Sequence, residues 1–305
     1  MKKTLLSMII ALTLNTAYAD IAKGIAATQN EDYATALKEF KESADEGDAA
    51  AQYNLGVMYD FGEGVSKNLQ EAAKWYLLAA NQGHAEAQYN LGDMSADGEG
   101  VPKNAQEAVK WYLLAANQGH VRAQFNLGMM YDYGEGASKN AQEAVKWYLL
   151  AANQGYTNAQ NNLGVMYANG DGVPKNVQEA IKWLTLAADE GEAGTQFNLG
   201  LVYESGKGVY KNTQEAAKWY LLATNQGYTN AQNNLGLMYE KGDGVPKNKV
   251  LAYALFELVA NQGNDKDQEN RDRLKPNLTP DQLAEVREIL VNWKVGTPFP
   301  TKTKY

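Results

Sequence analysis

Apolar and polar positions alternate along this chain in a helical rhythm broken at regular points by glycine-rich turns. In residues 85–120, AEAQYNLGDMSADGEGVPKNAQEAVKWYLLAANQGH, Ala108, Trp111, Tyr112 and Ala115 fall at i, i+3, i+4 and i+7. That spacing is one face of a helix and predicts helix from about Ala105 to Asn117. Asn104 stands at its N-cap, and Glu107 three residues later fits a capping box. Gly119 is a natural C-cap. Before it, Ala85 to about Met94 reads as a shorter helix, broken by Asp97-Gly98-Glu99-Gly100, where glycine supplies the backbone freedom of a turn. Glu107 and Lys110 are placed to pair on the outer surface, worth at most about 0.5 kcal/mol.

The unit repeats. Leu-Gly occurs at 55–56, 91–92, 127–128, 163–164, 199–200 and 235–236, always 36 residues apart. Trp75, Trp111, Trp147, Trp183 and Trp219 keep the same step, with Leu255 in the sixth place, and so do Gly83, Gly119, Gly155, Gly191, Gly227 and Gly263. Six units fill residues 49–264. A single helix hairpin cannot bury its apolar face; stacked neighbours can, and the product is a superhelix. The glycine after each leucine marks a close approach of two helices, and the tryptophan of the second helix is placed to fill the space between layers. Ser95 stands where the other units carry Tyr59, Tyr131, Tyr167, Tyr203 and Tyr239, so that layer is expected to be locally under-packed.

The pattern Ala-x-x-x-Leu-Gly-x-x-Tyr, then Gly-x-Gly-Val, then Ala-x-x-Trp-Tyr-x-x-Ala-Ala and Gly resembles the Sel1-like repeat family, related to the tetratricopeptide repeats. The resemblance implies an all-α, right-handed α-solenoid of helix-hairpin repeats with a 36-residue period. It also implies a protein-interaction scaffold serving envelope signalling, surface assembly or host contact, and not an enzyme. A fold does not fix an activity, and an alternative stays open: an envelope enzyme, or a binder of cell-wall or β-lactam-type small molecules. The relatives linked to β-lactams carry a cysteine pair per repeat, whereas this chain has no cysteine.

In tetratricopeptide-like stacks the first helices line the concave face. At about 100° per residue, Asn54, Val57, Asp60 and Phe61 turn to the side of Tyr53, while Leu55, Met58 and Tyr59 turn to the core. The resemblance therefore puts three rows in a groove. One is unbroken: Asn54, Asn90, Asn126, Asn162, Asn198 and Asn234. The second is Tyr53, Tyr89, Phe125, Asn161, Phe197 and Asn233, and the third Val57, Asp93, Met129, Val165, Leu201 and Leu237. Asp60, Asp132, Glu204 and Glu240 border them. Asparagine offers both a donor and an acceptor to a peptide backbone, the aromatic and aliphatic rows suit apolar side chains, and the acids favour a net-basic protein or peptide partner.

The ends read differently. Lys2 and Lys3, the apolar run Leu5–Leu14 and Ala17-Tyr18-Ala19 read as a signal peptide, residues 1–19, cut before Asp20. A periplasmic or secreted protein is expected, without stable membrane insertion after cleavage, monomeric or weakly oligomeric. Residues 20–48 read as a degenerate half-repeat cap, with Ile21–Thr28 pairing with a helix over Asp32–Ala44. Residues 265–294 read as capping helices, the last starting at Thr279-Pro280 and striped by Leu283, Val286, Leu290 and Trp293. Residues 295–305, with two prolines and no pattern, are expected to form a flexible tail.

Composition narrows the chemistry. The formal charge is −8, and loss of residues 1–19 would make it two units more negative. Such a chain, lacking a dense basic block, is excluded as an ordinary nucleic-acid binder. Without cysteine there are no disulfides or thiolate metal sites. The two histidines, His84 and His120, share one repeat position at a helix junction. No HExxH and no GxSxG occurs, and the Gly-x-Gly turns follow no strand. Neither cofactor nor metal is expected.

Overall fold

The computed structural model of the protein describes residues 21–206, 209–261 and 265–304, the side chains of 265–267 excepted. The expected signal peptide, residues 1–19, lies outside them. Among the described residues all regular structure is helical, and the chain falls into two compact units, Met1–Tyr156 and Thr157–Tyr305. The first holds α1 (21–29), α2 (Tyr33–Asp45), α3 (Ala49–Phe61), α4 (Leu69–Asn81), α5 (Ala85–Asp97), α6 (Ala105–Asn117), α7 (Val121–Tyr133) and α8 (Ala141–Asn153). The second holds α9 (Thr157–Asn169), α10 (Val177–Asp189), α11 (Ala193–Ser205), α12 (Thr213–Asn225), α13 (Thr229–Lys241), α14 (Lys249–Ala260) and α15 (Asp265–Leu274). A 3₁₀ turn (Lys275–Asn277) and α16 (Pro280–Asn292) complete it. Helices pack in consecutive pairs, α3 on α4, α5 on α6 and so on, and within each unit the second helix of one hairpin packs on the first helix of the next. No described helix is long and apolar enough to cross a membrane.

Local hydrogen bonds set the helix ends. The second helices start at Asn68, Asn104, Asn140, Asn176, Asn212 and Asn248, whose side chains accept a backbone N–H from the first turn, as an N-cap should. The expected capping box at Asn104 closes only halfway. The Asn104 N–H is already donated to the Ser95 carbonyl at 2.7 Å, and Asn68 and Asn140 use theirs likewise on Tyr59 and Tyr131. With no vacant donor to cap, Glu107 pairs forward with Lys110 at 2.8 Å, and Glu71, Glu143, Glu179 and Glu215 do the same with their lysines. The first helices run three residues past the expected end. Asp97 continues α5, and Gly98, at φ 82°, stops it by donating its N–H to the Met94 carbonyl.

One contact recurs through the core. A Cβ on Gly56 would lie 2.6 Å from the Tyr76 ring, on Gly92 2.5 Å from Tyr112, on Gly128 2.7 Å from Tyr148 and on Gly200 2.5 Å from Tyr220. The first helix thus offers bare backbone, and the aromatic ring of its partner helix packs directly against it. Leu184 takes the ring's place over Gly164, and Phe256 over Gly236. The tryptophans do fill the space between layers. Trp111 packs, partly buried, against the cluster of α4 and α5, Trp147 against that of α6 and α7, and Trp219 against that of α10 and α11.

A buried polar row, unremarked in the pattern above, ties layer to layer. Gln52, Gln88, Gln124 and Gln196 donate to the carbonyls of Ala44, Ala80, Ala116 and Ala188 at the end of the preceding second helix. Each side-chain carbonyl in turn accepts from Gln82, Gln118, Gln154 or Gln226, thirty residues later, at 2.7–3.0 Å. Each of these four buried amides therefore finds partners, without which its desolvation would be costly.

The ends elaborate the same design. In α1, Gly24 lies under Phe40 of α2 as Gly56 lies under Tyr76, so α1 and α2 form a shortened first hairpin. At the other end α15 continues the row of first helices and α16 covers the last layer, Val286 buried and Leu283, Leu290 and Trp293 packed against the terminal core. Thr279 and Gln282 close a full capping box there. The segment expected as a flexible tail is instead strapped down. Phe299 is buried in the terminal core and its N–H donates to Asn225 at 2.7 Å, Gly296 N–H donates to the Asn225 carbonyl, and Thr303 and Lys304 bond to Asn248 and Glu285. A single aromatic anchor plus backbone hydrogen bonds needs no periodicity, so the pattern gave no sign of it.

The ring-on-glycine contact makes a prediction whose sign decides. Helix propensity alone favours Ala over Gly by about 1 kcal/mol. Gly128→Ala should instead lower stability by about 1–3 kcal/mol, because the methyl collides with the Tyr148 ring. Urea unfolding of the variant measures it; a gain in stability would refute the contact.

Candidate functional site

Successive first helices touch one another within a unit, α5 with α7 and α9 with α11, which makes theirs the crowded side of each stack. On this side stand the residues singled out from the sequence. Tyr53, Tyr89 and Phe197 are half-buried, Phe125 is buried, and Asn54, Asn90, Asn126, Asn162, Asn198 and Asn234 are half-buried. Leu55 and Met58 face the core.

The aromatic row is packed into ladders. Tyr53 leans on Tyr76 at 5.8 Å between centroids and stacks on His84 at 4.6 Å. Tyr89 does the same with Tyr112 and His120, while Phe125 meets Tyr148 and Tyr156, and Phe197 meets Tyr220 and Tyr228, in tilted pairs. The helix-junction residues were missed as part of this face; their signal was the recurrence of a flat ring at 84, 120, 156 and 228. Both histidines also cap helices. Nδ1 of His84 accepts from Ala87 N–H, Nδ1 of His120 from Ala123 N–H, and His120 Nε2 meets Glu86 at 2.7 Å. Burial holds the His84 pKa below the usual histidine value, so the neutral ring that can accept the cap bond is favoured. Among the described residues no three His, Asp or Glu side chains converge as a metal site requires.

The asparagines do not stand in open solvent; their amides cross-link layers. Asn126 donates to Asp93 at 3.3 Å, Asn198 to Asn161 at 2.9 Å and Asn234 to the Tyr220 hydroxyl at 3.2 Å, while Asn54 turns back to the Ala50 carbonyl. Tyrosine hydroxyls meet the acids of the same rim: Tyr76 donates to Asp60 at 3.2 Å, Tyr112 to Asp93 at 2.6 Å and Tyr220 to Glu204 at 2.6 Å. Burial pushes the Tyr76, Tyr112 and Tyr220 hydroxyls far above the ordinary tyrosine range, and the adjoining carboxylates add to it. Burial also raises the Asp93 carboxyl, with Asp97 adding to the effect and the Tyr112 and Tyr89 hydroxyls opposing it.

Between the first helices lie open clefts. One of about 770 Å³ is lined by Asp93, Asp97, Lys103, Tyr112, Asn126, Met129 and Tyr133; in the other unit, one of about 380 Å³ is lined by Val165, Leu184, Asn198, Leu201 and Val202. Where α15 follows α13 the equivalent cleft, of about 530 Å³, is lined by Leu237, Glu240, Lys247, Arg273 and Leu274. Arg273 of α15 reaches back and grips Glu240 with both guanidinium nitrogens. That bond holds the Glu240 carboxyl below the usual carboxylate range. The opposite side of the stacks carries another regular row, the half-exposed Leu78, Leu114, Leu150, Leu186 and Leu222 of the second helices.

The Sel1 repeat model matches residues 49–84, 85–120, 121–156, 157–192, 193–228 and 229–264. Among solved structures, the chain is similar to c5321, described as a protective antigen present in uropathogenic Escherichia coli strains displaying an SLR fold. The identity is 33% at a TM-score of 0.82, over 93% of this chain and 61% of that one. It thus spans under two thirds of that relative's length. It is also similar to a Sel1 repeat protein from Oxalobacter formigenes, 34% identical with a TM-score of 0.67, over 79% of this chain and 96% of that one. No curated protein matches it.

The buried hydroxyls predict the response to alkali. Their folded pKa values are raised, so their contribution to stability is complete below about pH 10, the ordinary tyrosine value, and is lost as pH rises above it. The phenolate absorbance of Tyr76, Tyr112 and Tyr220 should appear only together with loss of helical circular dichroism. Full ionisation with the helices intact would contradict the burial.

Proposed function

Because the chain belongs to the Sel1 repeat family, whose members are generally protein-interaction scaffolds, we propose that it is an exported, non-enzymatic scaffold whose first-helix face holds an extended, net-basic segment of a partner protein. The observation that carries this reading is the pair Arg273–Glu240. There the chain supplies its own basic side chain to the acid row of the first helices, as a partner would supply one to Asp60, Asp132 or Glu204, or to Asp93 in the row beside them. Asp93 is half-buried and its carboxyl raised by burial, so an arriving cation gains from relieving an unfavourable charge. The asparagine amides, of which Asn126, Asn198 and Asn234 already use a donor across the layers, present a polar rim to the peptide backbone, and Tyr89, Met129 and Tyr133 present apolar surface beside it.

Export is supported by the signal-peptide pattern of residues 1–19 and by likeness to a relative described as a protective antigen. Periplasmic or secreted material should start at Asp20 on N-terminal sequencing; a membrane-bound form starting at Met1 would count against this.

The binding face is tested by capturing a partner from envelope extract with the mature chain and measuring its affinity for variants. Asn90→Ala with Asn126→Ala, and separately Phe125→Ala, should leave circular dichroism intact while weakening binding at least tenfold, about 1.4 kcal/mol. Raised salt should weaken it further, as charge steering requires. Unchanged affinity in both variants, with loss on changing Lys110 or Lys146, would move the site to the second-helix face.

A further inference from the structure

Ser95 is the one position in its row where a tyrosine is absent, and the structure shows what that absence leaves. In the other layers the ring is an interlayer filler. Tyr131 packs on the cluster of α6 and α7, Tyr203 on that of α10 and α11, and Tyr239 is buried in the terminal core. In the Ser95 layer there is an open cleft of about 530 Å³, lined by Leu77 of α4, Leu91 and Ser95 of α5, Val101 of the following turn, and Glu107 and Trp111 of α6. Small-molecule sites fall in the same range, roughly 300–1,000 Å³, and combine apolar walls with a few polar groups. Leu77 is itself 43% exposed, so the cleft opens to solvent.

The sister layers supply the group that fits it, a tyrosine ring, and the Tyr203 layer supplies a guide to how its hydroxyl is held. The Tyr203 hydroxyl is raised by burial and, next, by the charge of Glu215. Glu215 stands in its repeat where Glu107 stands in this one, and both carry the same forward lysine, Lys218 and Lys110. The missing side chain would therefore have placed its ring against Leu77, Leu91 and Trp111 and directed its hydroxyl toward Glu107. We propose that this cleft is a binding site for a para-substituted phenol, and that its occupant is the tyrosine side chain of a partner polypeptide, inserted where the chain omits its own. An aromatic anchor in a preformed pocket is the usual centre of a protein interface, and a phenol pairs an apolar ring with a hydroxyl that needs a partner. The proposal takes only the source of the ring from the scaffold reading; the cleft stands on the other side of α5 from the asparagine row and needs none of those residues.

The test uses p-cresol and the folded mature chain, with no partner protein. In titrations followed by heteronuclear NMR, p-cresol should bind saturably and shift signals of Leu77, Val101 and Trp111. Ser95→Tyr should fill the cleft, raise the midpoint of thermal unfolding and weaken p-cresol at least tenfold. Toluene should bind at least threefold more weakly than p-cresol, and Glu107→Ala should remove that difference. No binding, equal binding to Ser95→Tyr, or shifts confined to other layers would overturn the site, and the wild-type shifts decide this even if Ser95→Tyr does not fold. N-acetyl-tyrosinamide should compete with p-cresol; failure to compete would overturn the polypeptide source. Variants at Asn90, Asn126 and Phe125 should leave p-cresol binding unchanged, so loss of the first-helix reading and loss of this one are separate results.

Discussion

An aromatic ring packed against a bare stretch of helix is the contact on which most layers rest. Glycine at 56, 92, 128 and 200 brings two helix axes close enough for Tyr76, Tyr112, Tyr148 and Tyr220 to lie on backbone. The same approach carries the phenols of Tyr76, Tyr112 and Tyr220 across the core until their oxygens reach the far rim. There each must find a partner or suffer the cost of an unpaired buried hydroxyl, and the rim supplies Asp60, Asp93 or Glu204. The polar character of the first-helix face thus follows from how the core is packed. In layers without a hydroxyl the arrangement changes. Leu184 leaves Asn161 and Asn198 to bond to each other, and Phe256 leaves Glu240 to Arg273.

Periodicity made the architecture legible before any coordinates. A strict 36-residue step with fixed apolar positions admits one reading, and the hairpins, the glycine approach, the interlayer tryptophans and the six family repeats all follow it. Features that depend on competition between partners were not legible. The capping box at Asn104 is locally ideal, but the backbone donor it would satisfy is occupied by a carbonyl nine residues back. The buried glutamine row is as regular as the tryptophan row, yet glutamine reads as surface unless its two carbonyl and amide partners are known. The segment after Val295 has one anchor, Phe299, and a single apolar residue makes no pattern.

For the candidate site the limit is similar. Helical geometry placed the asparagine, aromatic and aliphatic rows on one side of the first helices, and the structure has them there. It could not show that asparagine amides already join neighbouring layers, or that His84, His120, Tyr156 and Tyr228 extend the aromatic row by ring contacts. Those partners lie about a repeat away in sequence and come together only on stacking. A face so cross-linked is rigid, and a rigid face loses little side-chain freedom when something is laid against it.

The glutamine pairs carry an implication for how such a chain can change length. Each bond joins residues thirty apart, and each second-helix glutamine at 82, 154 or 226 also reaches a glycine carbonyl thirty-five residues earlier. A gain or loss of a few residues within a repeat would put every such bond out of step at that junction. Copying or deleting a whole 36-residue block restores an identical junction on either side. Variation is thereby quantised: the molecule tolerates change by the layer far better than by the residue.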